Sequence, residues 1–326
     1  PGTSSPDGTR NDLPPRTTLA FGAPVFGSIP FISPATPAIL TAVDDARAVG
    51  DGIGVGVAST RWALDDGAFS DYTTPIRVAV DGVHWIRFLS VDAAGRAEAV
   101  RASSAAVDGT APVSALSIGS PQALLASGEV IVGPGTEIAV TAADPVVNGA
   151  ASGVAWTRAS VDGGDAVPVD GAFLLPAADG AHSVSMQVAD NVGNAETVHA
   201  ATVYRDGTPP ATTISFSAAP YAGFSGPIYG ASAALSFAAA DPASGGTASG
   251  VHHTEYALDG GAALPYTGAF GLPEGQHTLS YRSVDNVGNA EAAQDVSFAV
   301  DATPPQTSLS VDGGTTLFGA DVLTAE

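Results

Sequence analysis

Residues 274–291 read EGQHTLSYRSVDNVGNAE. His277, Leu279, Tyr281 and Ser283 fall on one side of an extended chain, while Thr278, Ser280 and Arg282 fall on the other. Successive side chains of a strand point to opposite faces, so this alternation is that of a half-buried β-strand. The DNVGN that follows reads as a turn. Aspartate caps backbone N–H groups ahead of it, glycine adopts φ > 0, and asparagine tolerates it.

The same strand and turn occur at 179–196, DGAHSVSMQVADNVGNAE, and at 81–98, DGVHWIRFLSVDAAGRAE. Asp92, Asp190 and Asp285 are therefore 98 and 95 residues apart, and Pro15, Pro112, Pro210 and Pro305 mark the same period. A second block recurs as GVASTRWALDDG (56–67), GVAWTRASVDGG (153–164) and GVHHTEYALDGG (250–261), each a strand closed by an Asp-rich turn. Asp162-Gly163 and Asp259-Gly260 are strong hairpin signals. A further strand ends at Asp44, Asp144 and Asp241. Roughly seven short strands in each period, with a turn signal every ten residues or so, predict a two-sheet sandwich. The expected layout is a linker tail (1–13), three domains (14–110, 111–207, 208–303) and the opening strand of an incomplete fourth repeat (304–326). Between the domains stand VDGTAP (107–112), RDGTPP (205–210) and VDATPP (300–305), whose prolines make stiff connectors and predict an extended rod.

Composition narrows the function. The formal charge of −22 repels phosphate backbones and anionic headgroups, so neither nucleic acid nor bare membrane is an expected partner. A hydrophobic fraction of 45% supplies cores, and 39 glycines with 24 prolines suit short strands and turns. With no cysteine there are no disulfides or thiolate metal sites, and no apolar run is long enough to span a membrane. No export signal is read in this chain.

These blocks resemble the tandem immunoglobulin-like repeats of bacterial cell-surface and secreted proteins, in which a G-x-H/Y strand runs into D-x-x-G-N and then a T-P-P linker. The resemblance covers about 12–303 and implies an all-β array of immunoglobulin-like, fibronectin-III-like or cadherin-like antiparallel sandwiches, extracellular or on a cell surface. The first copy departs from the pattern, with Arg96 where the others have Asn194 and Asn289 and with a longer loop at 44–56.

His84, His182 and His277 recur at one strand position, which argues against a unique catalytic site and for a corner that hydrogen-bonds to backbone, as a tyrosine does in immunoglobulin domains. For the repeated aspartates the first reading is the turn itself. The alternative is calcium, because in this topology the strand-ending, turn-opening and linker aspartates meet at one end of a domain. The candidate sets are Asp108 with Asp144 and Asp190, and Asp206 with Asp241 and Asp285; the first repeat offers Asp44, Asp45, Asp51 and Asp92. No nucleophile elbow, zinc-protease motif or phosphate loop is present, so no enzyme is expected. Features that occur once are Trp85, Leu89 and Trp156, a candidate contact surface, together with the pair His252 and His253. The apolar FGAPVFGSIPFI (21–32) is expected to pack on its own sandwich. The function expected is a structural or adhesive stalk or spacer. The alternatives are a filament subunit joined to identical subunits through the 304–326 strand, and an array binding glycan or a cell-surface protein.

Overall fold

The computed structural model describes residues 13–44, 54–223 and 226–307. It is all β among those residues. Two compact units are present among them, one formed by the described residues up to Gly207 with Gly245–Thr247 and the other by those between Thr208 and Ser244 with those from Ala248 onward.

The first unit contains two sandwiches built to one plan. In the first, β1 (Arg16–Phe21), β2 (Val25–Phe26), β3 (Phe31–Ile32), β4 (Ala38–Val43), β5 (Val57–Leu64), β6 (Ser70–Asp71), β7 (Gly82–Asp92) and β8 (Arg101–Val107) follow in order. Strands β1 and β4 pair antiparallel in a small sheet, and the large sheet runs β2-β3-β8-β7-β5-β6. The second sandwich repeats this with β9 (Val113–Ile118), β10 (Gln122–Leu124), β11 (Val130–Val132), β12 (Ile138–Ala143), β13 (Val154–Val161), β14 (Val167–Pro168), β15 (Gly180–Asp190) and β16 (His199–Arg205). In both, the short third strand joins the last one in parallel, at Ile32↔Val107 and Val132↔Arg205.

The second unit has β17 (Ala211–Phe216), β18 (Tyr221–Gly223), β19 (Gly226–Gly230), β20 (Ala234–Ala240), β21 (Val251–Leu258), β22 (Leu264–Pro265), β23 (Phe270–Gly271), β24 (Gly275–Asp285) and β25 (Gln294–Asp301). Its sheets are β17-β20-β23 and β18-β19-β25-β24-β21-β22. Two- and three-residue strands such as β2, β14 and β18 raise the strand number above the seven expected from turn spacing.

The alternation read from the sequence sets the cores. Ile86 and Phe88, Val184 and Met186, and Leu279 and Tyr281 all point inward from β7, β15 and β24. Ile32, Val107, Ile76 and Leu40 close the first core, Val132, Ile138 and Val203 the second, and Phe298, Leu235 and Tyr229 the third. Burying one such side chain contributes about 1.5–3 kcal/mol. Only part of 21–32 behaves as expected. Ile32 is core and Phe21 packs against it, but Ile29 is 62% exposed and Phe26 45% exposed, because β2 and β3 form a thin edge hairpin with one face in water.

Each copy carries a β-bulge in the same place, between Val57 and Ser59, Val154 and Trp156, and Val251 and His253. The glycine just before it, Gly56, Gly153 or Gly250, has φ between 83° and 91° and offers its carbonyl to the D-x-x-G turn. The bulge bends the strand toward that turn, so the end of each sandwich is shaped by one residue without a ladder partner. The C-terminal strand on which filament assembly would depend lies, from residue 308, outside the described residues.

Candidate functional site

The D-x-x-G-N segment is first of all a turn. Asp190 Oδ1 accepts the Val192 and Asn194 backbone N–H groups at 2.9 and 2.8 Å, and Oδ2 accepts Asn194 Nδ2 at 2.6 Å. Asp285 repeats these bonds with Val287 and Asn289. Asp92 keeps the two backbone bonds, to Ala94 and Arg96, but arginine stands where the amide donor would be.

The same turn also forms one wall of the junction between the first two sandwiches. Asn194 Nδ2 reaches the Asp108 carbonyl at 3.0 Å, and the Ser152 N–H reaches Asp108 Oδ2 at 2.6 Å. From the other side, Asp81 holds the linker through Gly109 N at 2.8 Å and Thr110 Oγ1 at 2.6 Å, while Asn148 Nδ2 bonds the Asp81 carbonyl at 3.0 Å. A Cβ on Gly109 would come within 2.7 Å of Pro34 Cγ and 2.8 Å of Asp81 Oδ1, so any larger residue would have to displace one of those side chains.

Here Asp108, Asp144 and Asp190 come together, with a carboxylate oxygen of each within 4.8 Å of the others. Asp108 is 0% exposed and Asp190 is buried. Asp144 Oδ2 accepts the Gly153 N–H at 2.7 Å, whereas its Oδ1 is buried with no hydrogen-bond partner among the described residues. Burial first, and then the neighbouring charges of Asp108 and Asp190, push the Asp144 carboxyl above the ordinary carboxylate value. A buried oxygen beside two further carboxylates can be relieved by a water molecule, by a proton or by a hard cation, which prefers oxygen ligands.

The other candidate set divides between the two units. Asp206, in the first, is buried and its N–H bonds the Val132 carbonyl at 2.9 Å. In the second unit Asp241 Oδ2 accepts Gly250 N at 2.7 Å and Asp285 is a buried turn residue. In the first repeat, Asp44 accepts Gly56 N at 2.7 Å, and Asp45 and Asp51 lie outside the described residues.

The histidines form corners, as the repetition suggested, and also something the sequence did not show. Nε2 of His84, His182 and His277 faces the carbonyl of Val80, Ala178 and Pro273, at 2.9 Å in each case. Nδ1 faces the carboxylate of the hairpin aspartate, Asp65 at 2.8 Å, Asp162 at 2.7 Å and Asp259 at 2.9 Å. Those aspartates sit at φ of 47°, 53° and 51°; in the second and third copies a glycine at φ of 74° and 71° follows, which completes the type I′ turn that Asp-Gly predicts, whereas in the first copy Asp66 follows Asp65 and the second position does not have positive φ. Burial alone would lower the histidine pKa, but the bonds to Asp162 and Ala178 outweigh it and hold His182 above its ordinary value. His277 is raised in the same way, against burial, by Pro273 and Asp259.

A third repeated contact went unread. Glu196 accepts Ser114 N at 3.0 Å and Ser114 Oγ at 2.5 Å, tying β9 of the small sheet to the large sheet. Glu98 with Thr17, and Glu291 with Thr212, do the same, and Ser90 and Ser283 join them inside the sandwich. The sequence signal was the glutamate that ends all three AE dipeptides.

Of the residues that occur once, Trp85 is 52% exposed on the outer face of β7. Leu89 on the same face is half-buried. Trp156 is half-buried and capped by Arg158, whose guanidinium carbon is 4.6 Å from the ring centre. His252 and His253 pack on each other, Nδ1 to Nδ1 at 3.1 Å.

The fold and its repeated corners define a tandem array of immunoglobulin-like β-sandwiches. No protein-family model and no curated protein matches the chain. Among solved structures it is similar to the fibronectin(III)-like modules of Clostridium thermocellum CbhA, at 16% identity over 58% of this chain and 95% of that one, with a TM-score of 0.31. The FN1-FN3 domains of chicken CNTN1 are similar at 10% identity over 81% and 94%, with a TM-score of 0.28. Extracellular cadherin domains 1-4 of protocadherin gamma B7 are similar at 11% identity over 83% and 73%, with a TM-score of 0.26. At these TM-scores the likenesses carry no argument. Among the described residues no helix is long and apolar enough to cross a membrane.

Proposed function

We propose that this chain is a non-catalytic repeat array that acts as an extracellular, bacterial cell-surface stalk or spacer, and that its first junction takes up calcium. The observation that supports the spacer role is the linker. Asp108, Gly109 and Thr110 are hydrogen-bonded to both flanking sandwiches, through Asp81 on one side and Ser152 and Asn194 on the other. A connector held in this way transmits orientation from one sandwich to the next, which a flexible tether would not do.

Calcium suits the donor set. Asp108, Asp144 and Asp190 are hard oxygen donors, and the buried Asp144 Oδ1 makes no hydrogen bond to a described residue. Water or backbone carbonyls would complete the six to eight oxygens calcium takes. The test is titration of calcium into chelator-stripped protein by isothermal calorimetry, alongside Asp144→Asn. Saturable heat that the substitution abolishes supports the reading. No heat, with a melting temperature unchanged by millimolar calcium, would leave the three carboxylates as turn and linker residues.

A further inference from the structure

Repetition separates what the fold needs from what one sandwich has added. The strand position of Trp85 holds Ser183 and Thr278 in the other copies, that of Arg87 holds Ser185 and Ser280, and that of Asp66 holds Gly163 and Gly260. These three residues are therefore absent from two sandwiches that fold without them. In the first sandwich they meet in one open cleft of about 400 Å³, lined also by Asp65 and Ala102.

The cleft is built before anything enters it. Asp65 accepts the Trp85 N–H through Oδ1 at 2.8 Å and returns its own N–H to the Trp85 carbonyl at 2.8 Å, so the turn is locked to the strand that carries the indole. Arg87 lies with its guanidinium carbon 5.5 Å from the Phe69 ring centre and donates Nη2 to the Gly67 carbonyl at 2.8 Å. Its Nη1 makes no hydrogen bond to any described residue, and neither does the exposed Asp66 carboxylate. By contrast, in the cleft on the third sandwich that holds Tyr256, Glu255 and Arg282 neutralise each other at 2.6 Å.

We propose that this cleft is a binding site for a neutral saccharide. An indole face half open to water offers an apolar platform for the C–H face of a pyranose ring. In the same cleft Asp66 can accept from a ring hydroxyl and Arg87 can donate to one. The charge pattern narrows the class: the aspartates and the chain's −22 repel an anionic ligand, and the cleft sets a donor beside an acceptor, which a hydroxyl can use at once. A neutral polyhydroxylated ring meets both conditions. The volume is at the lower end of the range for small-ligand sites, about 300–1,000 Å³, and suits one or two sugar units.

The test is affinity electrophoresis of the full chain in gels containing neutral polysaccharides (xylan, mixed-linkage β-glucan, galactomannan, dextran) or the anionic alginate, with Trp85→Ala, Asp66→Ala and Trp156→Ala run beside the wild type. The expected result is retardation by at least one neutral polysaccharide, weakened tenfold or more by Trp85→Ala and by Asp66→Ala, and unchanged by Trp156→Ala. Asp66 is exposed and unbonded, so its variant reports binding without disturbing the fold. Retardation by none of the neutral polymers, retardation by alginate alone, or a Trp85→Ala variant that runs like the wild type would overturn the proposal. So would a change of oligomeric state on Trp85→Ala, which would make this face a contact between copies of the chain.

Discussion

His182 is gripped by two acceptors, the Asp162 carboxylate at 2.7 Å and the Ala178 carbonyl at 2.9 Å. A neutral imidazole has one N–H and can serve only one of them, whereas the imidazolium serves both. Folding therefore favours the protonated ring. The charged groups that face it are Asp162, which supports the charge, and Arg205, which opposes it, and the balance raises the pKa above the ordinary 6.5. A histidine whose folded pKa exceeds its unfolded one adds stability that is complete below the unfolded pKa and is lost as pH rises through the folded value. The second sandwich should thus weaken as pH climbs above 6.5. A charge-assisted hydrogen bond is worth about 1.5–3 kcal/mol, and the 44% exposure of the Asp162 side chain reduces this through solvent screening. That leaves roughly 1 kcal/mol, or about 4–8 °C in the melting temperature of a sandwich of this size. The decisive variant is Asp162→Asn. Asparagine tolerates the left-handed backbone and can still accept the Ser183 N–H, but its amide donates toward Nδ1 and so suits the neutral ring. Calorimetry between pH 6 and 9 should show the wild-type transition falling with pH and the variant's nearly flat. Equal slopes in the two proteins would refute the argument.

The other predictions follow from the repeated carboxylates. Glu196→Gln should destabilise the second sandwich by about 1–3 kcal/mol, because an amide NH₂ would replace one acceptor facing the two Ser114 donors; urea unfolding should show a lower midpoint at unchanged slope. Asn194→Ala removes the amide that bridges Asp190 and the Asp108 carbonyl, and should cost about 1–2 kcal/mol and speed limited proteolysis at 108–112. Asp144 is raised by burial and like charge, so in metal-free protein its proton is stabilising at low pH and that contribution is lost as pH rises through the folded pKa. Calcium replaces the proton, so its effect on the melting temperature should be larger at pH 7 than at pH 4.5, and an effect of equal size at both would exclude Asp144 as a ligand.

Much of this was legible because the chain states it three times. Period-two alternation placed Ile86, Val184 and Leu279 inside, and Asp-Gly placed the type I′ turns, since both signals are local and act over one or two residues. Subtracting the repeats singled out Trp85, but treated Leu89 and Trp156 as its equals, because a sequence does not show that Arg158 covers the one indole and leaves the other open. The convergence of Asp108, Asp144 and Asp190 was readable only through a known topology.

What the sequence determined alone is the period, the strands, their buried faces and the turns, all fixed by side-chain alternation and by residues that accept positive φ. Tertiary structure decided the pairings across the sandwich. Glu196 finds Ser114 from 82 residues away, and His182 finds Asp162 only once the β13–β15 register sets Val161 against Val184. Those contacts depend on which strands lie opposite one another in two packed sheets, and no local pattern encodes that distance.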